Sequence, residues 1–212
     1  IFNQKDSLRL RQHQADELVF YAKKAFDIEY QAPWGWAEME GIHWRGDYDL
    51  TQHQKFSGQD LAYTDPSTHE KYLPHIVECS SGVDRPFFYL LLDAYQEEKL
   101  ENGETRIFLK INPHLAAYKL AIFPLASNKP ELLKLSQKLY KDLSQKYSID
   151  YDDSSNIGKK YRRQDEIGTP WCAVIDYQSL EDNTVSIRDR DTMKQIRLKI
   201  DEIDTWLSLK LN

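Results

Sequence analysis

Apolar residues along the chain recur with two different spacings, and the changes of spacing mark its elements. "DELVFYAKKAF", from Asp16, carries apolar residues at 18, 19, 22 and 26. That period predicts a helix, with Asp16 placed as its cap or first-turn acid. Residues 27–44, "DIEYQAPWGWAEMEGIHW", run through aromatic and branched side chains interrupted at Pro33, Gly35 and Gly41, which reads as strands joined by a tight connection. "KYLPHIVECS" is a further strand, and "VDRPFFYLLLDAYQEE" is long and periodic enough for a mostly buried helix with Pro86 in its first turn.

The pattern then breaks. Residues 96–106, "QEEKLENGETR", are charged, contain Asn-Gly and hold almost nothing apolar, so a domain boundary is expected there, dividing 1–104 from 105–212. Beyond it "RIFLKI" and "KLAIFPL" read as strands, and "KPELLKLSQKLYKDLSQKY" as a helix whose stripe is Leu132, Leu135, Leu139 and Leu143. "WCAVIDY", "TVSIRDR" and "KQIRLKI" follow as strands and "IDEIDTWLSLKL" as a closing helix. Strands alternating with helices predict an α/β layer domain after the boundary, and the chain is α+β overall.

Composition changes this picture only by exclusion. With 41% apolar and 29% charged residues among 212, the chain can bury a core like an ordinary globular protein. No apolar run approaches the roughly 18 residues of a membrane span, and the basic, apolar, small-residue order of a signal peptide is missing. A cytoplasmic location is expected. The opening "IFNQKDSLRL" has no methionine, which suggests a piece of a longer protein. Cys79 and Cys172 are too few for a disulfide framework and lack zinc spacing. A net charge of −6 argues against a surface generally coated by nucleic acid and leaves a local basic patch as the place for a polyanion.

Three constellations could carry chemistry. On an extended strand Glu38 and Glu40 would share a face with Trp34 and Trp36, either as a site for a cation or as a plain exposed face. In "IVECSSGVDR" Glu78 and Ser80 would share a strand face, Gly82 would allow a turn or close backbone approach, and Arg85 would fall in the first turn of a helix. The helix dipole does not favour a cation there. A phosphate would suit its planar fork, while a surface cation beside a mere turn is the plainer reading. His75 with Cys79 would suit a thiol nucleophile, but a buried inert cysteine is commoner and a third orienting group is not identifiable. The third constellation is basic: Lys159, Lys160, Arg162 and Arg163 bracket Tyr161, a pattern for phosphates and base stacking or for a solvated helix face neutralised by Asp165 and Glu166. Arg188 and Arg190 could likewise share one face of a strand.

"WGWAEMEGIHWRGDYDLTQH", "SGQDLAYTD", "PHIVECSSGVDR" and "YRRQDEIGTPWC" closely resemble, in order, the C-terminal portion of glycyl-tRNA synthetases of the dimeric class II type. The resemblance implies that residues to about 104 end an antiparallel catalytic sheet, with "SSGVDR" as its third motif, and that the rest is an α/β anticodon-binding domain with a mixed sheet flanked by helices. The other two motifs would lie upstream. It further implies an ATP site at Glu38, Met39, Gly82, Val83, Asp84 and Arg85, with Glu40 lining the same region, and a glycine site at Glu78, Cys79, Ser80, Ser81 and Gly82. Arg85 and Glu78 would be the catalytic pair. Where this chain has Cys79 and Ser81, such synthetases often have proline and alanine. The implied partners are ATP, Mg2+, glycine, tRNA(Gly) and a second copy of the full protein, with Lys159, Tyr161, Arg162 and Arg163 toward tRNA. A piece holding half of the ATP site should be inactive alone. A synthetase-like accessory subunit without catalysis is the alternative, although such a protein would be expected to lose Glu38, Glu78, Ser80 or Arg85.

Overall fold

Alternation in the first ninety residues produces one antiparallel sheet. In the computed structural model, which describes residues 2–3, 5–154 and 156–212, β1 (Leu8–Gln12), β2 (Lys24–Ala32) and β3 (Gly35–Gly46) lie side by side in this order. The β2–β3 hairpin turns at Pro33 and Trp34, as the interrupted aromatic run predicts. After α1 (Tyr48–Ser57) and the small hairpin of β4 (Tyr63–Thr64) and β5 (Lys71–Tyr72), β6 (Ile76–Ser81) returns to pair with β3. Then α2 (Asp84–Ala94) lays Tyr89 and Leu92 against Tyr30, Ala32, Ala37 and Met39. One face of the sheet is thereby covered by apolar packing, and Tyr30 and Tyr89 stack at 4.8 Å.

The helix expected from Asp16 does not form. Residues 13–23 run as turns and irregular backbone, and Ala25 and Phe26 belong to β2, where Ala25 pairs with β3 and Phe26 with both β1 and β3. Val19 and Phe20 stay exposed, so the apolar stripe finds no core to cover, and burial of such a stripe is the main source of helix stability. α2 also ends sooner than its periodicity predicts: Tyr95–Lys99 is strand β7, paired with β8 (Thr105–Leu109). The charged stretch 96–106 is therefore a hairpin. Its period of two is carried by buried Arg106 and Phe108, an alternation that the surrounding charges disguise.

Two compact units make up the chain, Phe2–Leu92 and Asp93–Asn212. The boundary expected after 104 falls in the turn of the β7–β8 hairpin, and Ile1 lies outside the described residues. In the second unit β9 (Leu120–Pro124), α3 (Pro130–Leu143), β10 (Ile149–Tyr151), α4 (Ile157–Ile167), β11 (Trp171–Ile175), α5 (Tyr177–Asp182), β12 (Thr184–Asp189), β13 (Gln195–Lys199) and α6 (Ile203–Leu211) follow in order. The five strands form a mixed sheet ordered β10-β9-β11-β12-β13, parallel across β10, β9 and β11 and antiparallel beyond. β1, α1, β4, β10 and α5 are elements that the sequence pattern does not predict.

Both faces of the central strands are covered, which explains their unbroken apolar runs. Leu120 and Ile122 of β9 and Ala173 and Ile175 of β11 meet Leu132, Leu139 and Leu143 of α3 and Ile203 and Leu207 of α6. Ala121, Phe123, Cys172 and Val174 face the other way, against Ile157 and Tyr161 of α4. Pro130 opens α3, and Asn156 caps α4 by accepting from Lys159 N at 3.0 Å. Gly168 ends α4 at φ +83°, where a Cβ would stand 2.8 Å from the Ile111 side chain. Among the described residues no helix is long and apolar enough to cross a membrane.

Candidate active site and nucleic-acid interface

The expectation that Glu38 and Glu40 share a face is corrected by a bulge. Glu40 pairs with Ile28 and Glu38 with Glu29, so Met39 is an extra residue in β3. Ile28 and Glu29 are successive and point to opposite faces, and their partners therefore do too. Glu38 shares its face with Trp36, as expected, and lies opposite the apolar packing that takes Met39. That open face is polar: Arg9 lies over Trp36 and pairs with Glu29, and His13 Nε2 sits 2.7 Å from Asp27.

Arg85 reaches this site from the head of α2. Its Nη1 donates to the Glu38 backbone oxygen at 3.1 Å and lies 3.5 Å from the Glu38 carboxylate. Glu38, Met39, Ser80, Gly82, Val83, Asp84 and Arg85 line one open cavity of about 350 Å3, so all six residues expected at an ATP site are brought together. A Cβ at Gly82 would meet nothing within 4 Å, so protein packing leaves that space open. Ser81 Oγ donates to the Met39 backbone oxygen at 3.1 Å and ties the end of β6 to the bulge. Cys79 is exposed and pairs with Ile42, while His75 Nδ1 accepts from Trp44 Nε1 at 3.3 Å.

Glu78 and Ser80 lie on the polar face, opposite His43 and Gly41 of β3. Glu78 is ion-paired to Arg45, whose guanidinium also grips both oxygens of Asp49 at 2.7 Å. Its hydrogen bonds to Asp49 first, and then to Glu78, push the Arg45 pKa above its ordinary value. Neither Arg45 nor Asp49 appears among the sequence candidates. Their i, i+4 spacing at a strand-to-helix step was the available signal, but the partnership with Glu78, 33 residues away, has no local trace. Among the described residues no group of three or more His, Cys, Asp or Glu could hold a metal ion.

The basic run divides on folding. Lys159, Arg162 and Arg163 of α4 are exposed; Arg163 lies 2.7 Å from Asp152 and Arg162 3.6 Å from Glu104. Lys160 turns inward, fully buried, and donates to the Pro124 backbone oxygen at 2.9 Å; burial lowers its pKa. Tyr161 packs edge-on against Phe123 with the Arg188 guanidinium over its ring at 4.7 Å, and burial pushes its phenol up to about 12. Its ring thus faces the core rather than offering an open stacking platform. Arg188 and Arg190 are buried as well: Arg188 grips Asp165 at 2.8 and 3.0 Å, and Arg190 donates to the Gly168 and Ile111 carbonyls.

Residues 119–210 match the family described as "Anticodon binding domain", which gives the class: the second unit carries an anticodon-binding domain of the synthetase kind. The whole chain has closer relatives. It is 52% identical over 207 residues to the "Glycine--tRNA ligase" of Clostridium tetani, covering 98% of this chain and 44% of that protein. The protein of the same name from Clostridium acetobutylicum is 50% identical over 98% of this chain and 44% of its own length, and that of Borreliella afzelii 49% over 97% and 46%. Nearly the whole chain is thus similar to glycine–tRNA ligases, and it spans somewhat less than half the length of these relatives.

Proposed function

We propose that this chain supplies one side of a glycine-activating site and the tRNA-binding domain of a glycine–tRNA ligase. The observation that carries the reading is the gathering of Glu38, Ser80, Gly82 and Arg85 around one open cavity, beside Glu78, in a chain half identical to proteins of that name. Glycine would lie on the polar face with its ammonium toward Glu78 and its α-carbon against Ser80. Selection is then a problem of exclusion, because every competing amino acid carries a side chain that would clash with that wall.

The chemistry proceeds in two displacements. A glycine carboxylate oxygen attacks the α-phosphorus of ATP, the bond to the bridging oxygen breaks, and pyrophosphate leaves with that electron pair, giving glycyl-adenylate. A hydroxyl of the terminal adenosine of tRNA(Gly) then attacks the glycyl carbonyl and AMP departs. Arg85, fixed beside Glu38, would meet the terminal phosphates with positive charge already in place. Mg2+ fits this donor set only as a companion of the ATP phosphates, with Glu38 as the carboxylate in reach, and would add charge stabilisation to the leaving pyrophosphate. Lys159, Arg162 and Arg163 would meet tRNA phosphates. The full protein would act as a cytoplasmic homodimer.

Glycine-dependent ATP–pyrophosphate exchange and charging of tRNA(Gly) by the intact protein carrying this chain test the reading. Activity in both is expected. A folded intact protein that binds tRNA(Gly) but neither exchanges nor charges would replace the ligase with the accessory-subunit reading. The 212-residue chain alone should give no exchange, and turnover by it would show that the upstream residues are dispensable.

A further inference from the structure

We propose that Arg45 is a positioning residue for Glu78, aiming its carboxylate at the ammonium of the substrate; the inference rests on the ligase reading above. β3 contains a second irregularity. Trp44 pairs with Val77 and Gly46 with Ile76, so Arg45 is an extra residue with no partner in the β3–β6 register. Such a bulge redirects one side chain out of the regular alternation. Here the redirected chain meets three partners. Nε and Nη2 of Arg45 each lie 2.7 Å from an oxygen of Asp49 in the first turn of α1, Nη1 reaches Glu78, and the guanidinium lies 4.3 Å over the Tyr21 ring.

The consequence for Glu78 is geometric. Its Oε2 receives Arg45 Nη1, which restrains the carboxylate on that side and would leave Oε1 to a ligand. The planar fork of arginine, which satisfies two carboxylates at once from a clamped position, is not reproduced by lysine. Arg45 would not touch glycine. Its effect would pass through Glu78 and should therefore appear in glycine binding, while ATP, held on the far side by Glu38 and Arg85, is left alone.

Glycine-dependent pyrophosphate exchange by the intact protein, with Arg45→Gln, Arg45→Lys and Asp49→Asn, separates this from a merely structural tie. For Arg45→Gln the KM for glycine should rise about 10-fold or more while the KM for ATP stays within about 2-fold. Arg45→Lys should recover only part of the loss, and Asp49→Asn should shift the glycine KM in the same direction by less. The double variant Arg45→Gln/Asp49→Asn should be no worse than Arg45→Gln alone, because both changes act through one path. An unchanged glycine KM in folded Arg45→Gln would overturn the inference, and so would equal shifts in both KM values. Should that variant not fold, an unchanged glycine KM in Asp49→Asn overturns it equally. An inactive parent protein would overturn the ligase reading and this inference together; an active parent with unaltered variants overturns only this one.

Discussion

Each unit of the chain joins arginines to carboxylates, in opposite surroundings. In Asp93–Asn212, Asp165 is 3% exposed and receives Arg106 and Arg188, both also buried. In Phe2–Leu92, Arg85 and Glu38 are each about half exposed at the edge of a cavity. Charges already desolvated by protein are matched to one another and have little left for a ligand. Charges at an open cavity keep their donors free for one. Residue type alone therefore does not separate structural from chemical arginines; the packing around them does.

The comparison is broken most forcefully at Asp165. Asp165→Asn leaves two buried guanidinium groups without their shared charge, and a loss of about 3 to 5 kcal/mol is expected in chemical denaturation. A loss within the ordinary surface range, about 0.5 kcal/mol, would mean the network is solvated and the contrast false. At the open site the pattern reverses. Arg85→Ala should lower kcat/KM for exchange by the intact protein about 100-fold, with a melting temperature within about 2 °C of the parent. A large fall in melting temperature without a change in turnover would make Arg85 a structural residue after all.

The exposed face of α4 gives a smaller effect. Arg162→Gln with Arg163→Gln should weaken tRNA(Gly) binding about 10-fold and reduce the slope of log affinity against log salt by up to about two, one for each phosphate contact. Gel shifts at several salt concentrations check this. Unaltered affinity and slope would remove both residues from the interface. The ion pairs to Asp152 and Glu104 must be exchanged for phosphate, so the effect per residue should be less than for an unpaired cation.

How much of this was legible in the chain depends on the range of the interactions. "LAIFP" and "WCAVI" announced strands covered on both faces, and the leucine stripe of α3 announced its buried side, because burial there follows local period. Glu78, Ser80, Gly82 and Arg85 sit close together in the chain, and the geometry of β6 and the head of α2 keeps them near one another. Bulges at Met39 and Arg45 were not legible, since they are defined by the register of β2 and β6 against β3. Nor was the inward turn of Lys160 and Arg188, which sit in runs indistinguishable by composition from Arg162 and Arg163. The helix expected from Asp16 failed for the same reason: its apolar period was real, and tertiary pairing at Ala25 and Phe26 overrode it.

A pair of intermediate exposure gives the finest test of the contrast. Asp176 caps α5 by accepting from Ser179 N at 3.0 Å, and it also receives Arg197 of β13 at 2.7 and 2.8 Å. Arg197 above all, with Ser179 assisting against the burial that opposes them, holds the Asp176 carboxyl at about 2. A carboxyl depressed on folding adds stability above its unfolded pKa, 3.8, and that contribution is lost as pH falls through 3.8 toward 2. It should amount to about 1 kcal/mol once screening by solvent at this partly exposed site is counted. Arg197→Gln should therefore be less stable than the parent at pH 7, with the gap closing between pH 4 and pH 2 as Asp176 is protonated in both proteins. Urea midpoints measured across that range check it. A gap that persists undiminished at pH 2 would assign the role of Arg197 to packing of its stem, and place this pair with the buried network around Asp165 instead of between the two extremes.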